Sequence, residues 1–161
     1  MTGELARRRD AANVGAHWIA SAHHTPDAVW EEWDGALGVA LVPAGREWDA
    51  VAMPYDRLLA VMGDMGPLAW KHRPVLADLS SGRTYVFVPQ GTAETWQEPG
   101  TTPIGDGFWL VMSQPGGVRE SRVGHWMNPP GLLTSLADPA DLKASLRRTA
   151  SDDHSYSEEG F

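Results

Sequence analysis

The apolar run at residues 48–53, between Gly45 and Pro54, limits the fold more than any other feature of the sequence. The run is shorter than a typical helix, and glycine and proline at its borders are typical of a strand. Successive apolar positions predict that the strand is buried on both faces. Two acids, Glu47 and Asp49, lie two residues apart at its start, so they share one face of the predicted strand.

Helix and strand signals alternate on both sides of this run. Thr25, Pro26 and Asp27 form a helix start, because a hydroxyl cap is followed by proline at the first helical position and an acid in the first turn. That helix is expected to end at Gly35. Further helices are predicted over residues 7–22, from Pro54 and from Asp138. Further strands are predicted at 37–42, 75–77, 85–88, 108–112 and 123–127, the last two as a hairpin.

The pattern predicts an α/β (α+β) fold in a single domain over residues 1–149. It has one mixed sheet of about six strands, with about four helices. Residues 150–161 are acidic and nearly without apolar side chains. We expect this segment to be a disordered tail.

Composition excludes several classes of protein. No apolar run approaches the ~20 residues of a membrane span, and the charged N-terminus lacks the apolar core of a secretory signal. The chain has no cysteine, which excludes disulfides and thiolate metal sites and favours a cytoplasmic protein. The net charge of −8 disfavours nucleic acid as a partner, because such binding depends on Lys and Arg contacts to phosphate. The basic run at residues 7–9 is the exception.

Glu47 and Asp49 are the first candidates for chemistry. Two carboxylates on one strand face could hold a divalent ion. The same face continues to Val51 and Met53, which offer no ligand, so we favour the interpretation that the acids face solvent. The histidines do not show metal-ligand spacing, and no GxSxG motif indicates a nucleophilic serine.

The best binding candidate is the turn of Ser80, Ser81, Gly82 and Arg83. A turn of this composition exposes backbone N–H groups beside a guanidinium, which suits phosphate. An ordinary hairpin turn with an exposed arginine is the alternative, and the residues alone favour it.

Two segments together resemble a known family. They are "HHTPDAVWEEWDGALGVALVPAGREWDAVAMP" at residues 23–54 and "LSSGRTYVFVPQG" at residues 79–91. Their order resembles the N-terminal bifunctional DNA primase/polymerase domain, most closely its shortened actinobacterial versions. That family has a capped helix with tryptophans, a Gly-Val strand and a strand that ends in Asp-x-Asp and proline. A Ser-Gly-Gly-Arg-His-x-Tyr-Phe turn and strand follow, and the likeness covers residues 25–91.

Carried over position by position, the resemblance implies the loss of polymerase chemistry. With Pro54 aligned, the two metal-binding aspartates of the family fall at Val51 and Met53, and its nucleotide-contacting histidine falls at Thr84. Ser80, Gly82 and Arg83 match the family's turn, whereas Ser81 replaces a glycine. Glu47 and Asp49 lie roughly 7–14 Å away along the strand and are poor substitutes. The resemblance therefore implies a primase/polymerase-like sheet without catalytic residues, metal or cofactor.

We therefore expect a regulatory or protein-interaction module. Its partner would be another protein or a second copy of the chain, with a nucleotide at Ser80–Arg83 as a further ligand and no membrane contact. One alternative is a metal-dependent nucleotidyl-transfer or hydrolytic enzyme with a relocated site at Glu47, Asp49 and a histidine. A second alternative is a nucleic-acid-binding protein that keeps the family's ligand without its chemistry.

Overall fold

The computed structural model describes residues 13–117, 119 and 121–159, with side chains up to residue 150. Its helices are α1 (Val14–Ala20), α2 (Pro26–Asp34), α3 (Tyr55–Met65), α4 (Pro67–Trp70) and α5 (Pro139–Glu159), with a 3-10 turn at Thr92–Glu94. Its strands are β1 (Val39–Pro43), β2 (Asp49–Pro54), β3 (Val75–Asp78), β4 (Arg83–Val88), β5 (Thr102–Ile104), β6 (Trp109–Ser113) and β7 (His125–Asn128). No helix within these residues is both long and apolar enough to cross a membrane.

The strands form two antiparallel sheets. The larger has the order β5-β2-β4-β3-β7, and the smaller pairs β1 with β6. The α+β class is confirmed, whereas the single mixed sheet is corrected to two sheets of antiparallel strands. The reason is that β1 pairs with β6, far along the chain, in a register that joins Val39 to Ser113 and Pro43 to Trp109.

The hairpin predicted between 108–112 and 123–127 is also corrected. These segments become β6 and β7, which lie in different sheets. They touch where the Ser113 N–H donates to the Gly124 carbonyl at 2.9 Å. Gly124 has a φ of +70°, and a Cβ there would lie 2.5 Å from the Val111 carbonyl oxygen, so this crossing requires glycine.

The larger sheet separates two apolar cores. One face packs against α1, α2 and the smaller sheet, and the buried residues that the larger sheet contributes to this core are Ala50, Ala52, Leu76, Phe87 and Ile104. The other face belongs to a cluster with residues of α3, α4 and α5, and its strand residues are Val51, Met53, Val75, Val86 and Val88. Strand β2 is therefore buried on both faces, which confirms the prediction from its continuous apolar run.

Helix α2 begins and ends where the sequence predicts, at Pro26 and before Gly35. Thr25 does not cap it through its side chain, in contrast to the prediction. At the other end of the helix, the Arg119 guanidinium donates to the carbonyl oxygens of Trp33 at 3.3 Å, Gly35 at 2.6 Å and Ala36 at 2.9 Å.

Helix α5 begins after Asp138, whose carboxylate accepts the Ala140 N–H at 2.8 Å. An ion pair of 2.8 Å between Arg148 and Asp64 joins α5 to α3, and the Ser145 hydroxyl donates to the same carboxylate at 2.7 Å. The Arg148 and Ser145 hydrogen bonds lower the pKa of Asp64.

The backbone of α5 is helical to Glu159, through most of the segment expected to be a tail. Neither glycine nor proline occurs between Ala150 and Gly160, so no residue ends the helix earlier. The side chains of this segment lie outside the described ones, so the disordered tail expected at residues 150–161 stays a prediction. Of the helix predicted over residues 7–22, the structure has Val14–Ala20 as α1, and residues 7–12 lie outside the described part of the chain.

Candidate functional site

The two acids at the start of β2 lie in different environments. Asp49 is the first residue of the strand and is 2% exposed. Its carboxylate accepts the Ala93 N–H at 2.9 Å, from the 3-10 turn that packs against β2. Glu47 precedes the strand and is exposed. The interpretation that both acids face solvent is therefore right for Glu47 and wrong for Asp49, whose carboxylate is buried with a structural partner.

The histidines are distributed over several elements. The His17 ring lies 5.0 Å from the Trp30 ring, and the His23 ring lies 5.6 Å from the Trp109 ring. Within the residues that the structure describes, no three His, Cys, Asp or Glu side chains come together as metal ligands. A relocated site at Glu47, Asp49 and a histidine therefore finds no supporting geometry.

The three positions that the primase/polymerase resemblance assigns to catalysis are buried. Val51, Met53 and Thr84 are each 1% exposed, and Met53 lies opposite Thr84 in the register of β2 and β4. The Thr84 hydroxyl donates to the Met53 carbonyl at 2.8 Å. Val51 and Met53 belong to the core shared with α3 and α5, so their side chains serve packing.

The turn of Ser80, Ser81, Gly82 and Arg83 joins β3 to β4, and most of its backbone donors are used internally. The N–H groups of Ser80 and Gly82 donate to the side chain and the carbonyl of Asp78, each at 2.9 Å. The Arg83 N–H donates to the Ser81 hydroxyl at 3.3 Å. A phosphate at this turn would therefore depend mainly on the Arg83 guanidinium and the serine hydroxyls.

Two grooves meet at Gly82. The first, of about 270 Å³, is lined by Met53, Pro54, Ser81, Gly82, Arg83 and Thr102 and is called the Arg83 groove. The second, of about 360 Å³, is lined by Tyr55, Asp78, Leu79, Thr84, His125 and Met127 and is called the His125 groove. Sequence reasoning missed the second groove, because its residues come from α3, β3, β4 and β7 and no local motif connects them.

An apolar surface lies on the smaller sheet. The β1–β6 outer face consists of Val39 and Leu41 from β1 and Trp109 and Val111 from β6, which alternate with buried residues of the same strands. Leu41 is 47% exposed and Trp109 is 49% exposed, whereas Val39 and Val111 are half-buried. None of these four side chains carries a charge, although the chain has a net charge of −8.

No family model, no curated protein and no solved structure matches this chain.

Proposed function

We propose that this chain is a non-catalytic, cytoplasmic interaction module and that it self-associates through the β1–β6 outer face. The half exposure of Leu41 and Trp109 on an uncharged sheet face is the observation that carries the proposal.

Both faces of the smaller sheet are apolar. Its inner face is formed by Ala40, Val42, Leu110 and Met112, which are buried in the core. An antiparallel sheet with one solvated face normally carries polar residues on that face, and apolar patches in such places mark interaction sites. The outer face of β1 and β6 therefore has the composition of a surface that another apolar surface covers.

The edge of β1 that lies away from β6 is less suited to binding a partner than the outer face of the sheet. The Leu41 N–H, which points away from β6, donates to the Glu32 carboxylate at 3.2 Å. This contact occupies a donor that an added strand would need. Association is therefore expected through the face rather than by extension of the sheet.

A second copy is the occupant that fits an uncharged face best. In a two-fold dimer the same patch meets itself, so an uncharged apolar face needs no charge complementarity from its partner. The net charge of −8 on each copy opposes association through long-range repulsion. We therefore expect a reversible dimer that tightens with added salt.

Sedimentation equilibrium from low micromolar to submillimolar concentration tests this proposal. The wild type is expected to show a monomer–dimer equilibrium, and Leu41→Lys and Trp109→Lys are expected to remain monomeric. Leu68→Lys is the matched control, because Leu68 is 87% exposed and lies on α4, away from the two strands. A wild-type monomer at every concentration, or an equal loss in the control, would contradict self-association through this face.

The absence of metal-dependent catalysis is part of the same proposal. It is supported by the core positions of Val51 and Met53 and by the hydrogen bond between Asp49 and Ala93. Calorimetric titration with Mg²⁺ and with Mn²⁺ is expected to give no saturable heat. Micromolar binding that Asp49→Ala abolishes, in a variant that still folds, would favour the enzymatic alternative instead.

A nucleotide is a second candidate ligand, favoured by the Arg83 groove. The Arg83 guanidinium lies beside this groove and 5.6 Å from the centroid of the Tyr85 ring. We expect at most weak mononucleotide binding that Arg83→Ala removes, and no duplex binding at physiological salt. Submicromolar duplex binding that is lost when Arg7, Arg8 and Arg9 are changed to alanine would support a nucleic-acid role; these arginines lie outside the described residues.

A further inference from the structure

The His125 groove lies where α3 begins beside the ends of β3, β4 and β7. Its volume of about 360 Å³ is within the range of small-molecule pockets. It lies on a different part of the molecule from β1 and β6 and does not depend on the proposed self-association.

The body of the groove is apolar. Met127 contributes a flexible thioether from β7, and Ala77 contributes a small side chain from β3. Tyr55 is 46% exposed and Leu79 is 43% exposed, although both are large side chains that line the groove. An aromatic ring and an aliphatic side chain that remain half exposed offer surfaces for a planar ligand.

The polar groups of the groove are mainly hydrogen-bond acceptors. The Asp78 carboxylate accepts the Ser80 N–H through Oδ1 and has further lone pairs on Oδ2. The Thr84 hydroxyl donates its hydrogen bond to the Met53 carbonyl, so a further hydrogen bond to this hydroxyl can only be one that it accepts. The half-buried His125 ring forms no hydrogen bond within the described part of the chain, so both of its nitrogens are available.

The charged residues that line the groove indicate whether its ligand is a cation or an anion. Asp78 is the one carboxylate that lines it, and neither Lys nor Arg is among its described lining residues. Asp78 forms no ion pair within the described residues. Arg83 lies opposite Asp78 in the register of β3 and β4, but its guanidinium lies 5.6 Å from the centroid of the Tyr85 ring and Arg83 lines the Arg83 groove. A phosphate or carboxylate ligand would meet repulsion here, whereas a cation would neutralise Asp78.

We propose that the His125 groove binds a small planar cation, such as an aromatic amidine or a protonated amino-heterocycle. The ring of the ligand lies against Tyr55 and Leu79, where the aromatic face of Tyr55 also favours positive charge. Its N–H groups donate to Asp78 and to an unprotonated nitrogen of His125. The site differs from the Arg83 groove on the other side of Gly82, where the charge favours an anion.

Benzamidine is the probe for this proposal, and benzoate is its matched anion of nearly the same shape. Two-dimensional NMR titration of the ¹⁵N-labelled chain is expected to show saturable shifts at Ala77, Leu79, Thr84 and His125 with benzamidine. Benzoate is expected to produce no saturable shift at these residues. Equal binding of the two probes, or no saturable binding of benzamidine, would overturn the proposal.

Two variants assign the binding energy to the groove. Asp78→Asn keeps an oxygen for the Ser80 N–H and removes the charge, so benzamidine affinity is expected to fall by about tenfold. Tyr55→Ala removes a half-exposed ring with little risk to folding and is expected to weaken binding by a few-fold. Glu47→Gln is the control, because it removes an exposed charge that is not part of the groove, and it is expected to bind as the wild type does. Unchanged affinity in folded Asp78→Asn, or in Tyr55→Ala if the first variant does not fold, would refute the site.

Discussion

Replacing Asp49 with alanine is expected to lower the stability of the fold. The Asp49 side chain is 2% exposed, and its carboxylate accepts the Ala93 N–H at 2.9 Å. A Cβ at Gly105 would lie 3.5 Å from the same carboxylate oxygen, so the chain near Gly105 approaches the carboxylate closely. Alanine leaves a small cavity between β2 and the 3-10 turn and removes the acceptor of a partly buried N–H.

The size of the effect follows from that lost acceptor. A buried donor without a partner costs about 1–3 kcal/mol, and a hydrogen bond to a charged group lies at the upper part of that range. Burial of the carboxylate has its own desolvation cost, which removal of the charge relieves. We therefore expect the free energy of unfolding to fall by about 1–2 kcal/mol in Asp49→Ala, which corresponds to about 2–4 °C in Tm per kcal/mol for a chain of this size.

Urea unfolding followed by tryptophan fluorescence measures this change, because the chain has eight tryptophans. Asp49→Asn keeps an oxygen acceptor and is expected to lose less than Asp49→Ala. Glu47→Ala is the control, since its side chain is exposed, and it is expected to stay within about 0.5 kcal/mol of the wild type. If Asp49→Ala unfolds at the wild-type midpoint with an unchanged m value, the hydrogen bond to Ala93 does not stabilise the chain and this reasoning is wrong.

Three further predictions concern α5 and the crossing of β6 and β7. The hydrogen bond from Arg148 lowers the pKa of Asp64 below its ordinary value of 3.8. The ionised Asp64 carboxylate therefore stabilises the fold above that pH, and this stabilisation is lost as the pH falls through the lower pKa of the folded state. In urea unfolding at a series of pH values, the stability advantage of wild type over Asp64→Asn should be constant near neutral pH and disappear in acid; a constant difference at all pH values would contradict it. Gly124→Ala is expected to lose at least about 2 kcal/mol, because it combines a positive φ with a backbone clash, whereas Gly131→Ala, with open space around it, should change stability by less than about 0.5 kcal/mol. Deletion of residues 150–161 is expected to leave Tm within about 2 °C, and a larger drop would show that the last turns of α5 dock on the domain.

Elements with strong local signals could be predicted from the sequence. Pro26 and Gly35 set the bounds of α2, and the run that ends at Pro54 sets β2, because proline and glycine restrict the backbone wherever they occur. The start of α5 after Asp138 has the same origin, and the apolar residues Leu142 and Leu146 of this helix are buried.

Features that depend on distant contacts could not be predicted. Nothing near β6 indicates that it pairs with β1 rather than with β7, because register between remote strands is set by the packing of the whole domain. In α3 the buried face contains Leu58 and Val61, whereas Leu59, which is apolar and adjacent to Leu58, is 47% exposed. A run of adjacent apolar residues leaves the orientation of a short helix ambiguous.

In the candidate sites too, local features could be predicted from the sequence and contacts between distant residues could not. The turn at Ser80–Arg83 is visible in the sequence, but the use of its N–H groups by Asp78 is not, because it depends on how the turn closes. The His125 groove has no sequence signal at all, since β7 joins β3 only in the folded sheet. Asp49 was visible as an acid, but its burial and its contact with Ala93 were not.

Val51 and Met53 of β2, the positions that the primase/polymerase resemblance assigns to metal ligands, pack against the helices that cover this face of the sheet. Val51 and Met53 lie in one buried cluster with Leu142 and Leu146 of α5, and the ion pair between Asp64 and Arg148 ties α5 to α3. A catalytic metal needs oxygen ligands and an open coordination position for substrate, and this side of the sheet offers neither at Val51 and Met53. Aspartates at these two positions would place two carboxylates in an apolar core, at a cost of several kcal/mol each. The apolar side chains of Val51 and Met53 and the coverage of the sheet by α5 therefore support each other. With the helix in place, apolar residues are the ones that stabilise β2, and with apolar residues in place, the helix has a surface on which to pack.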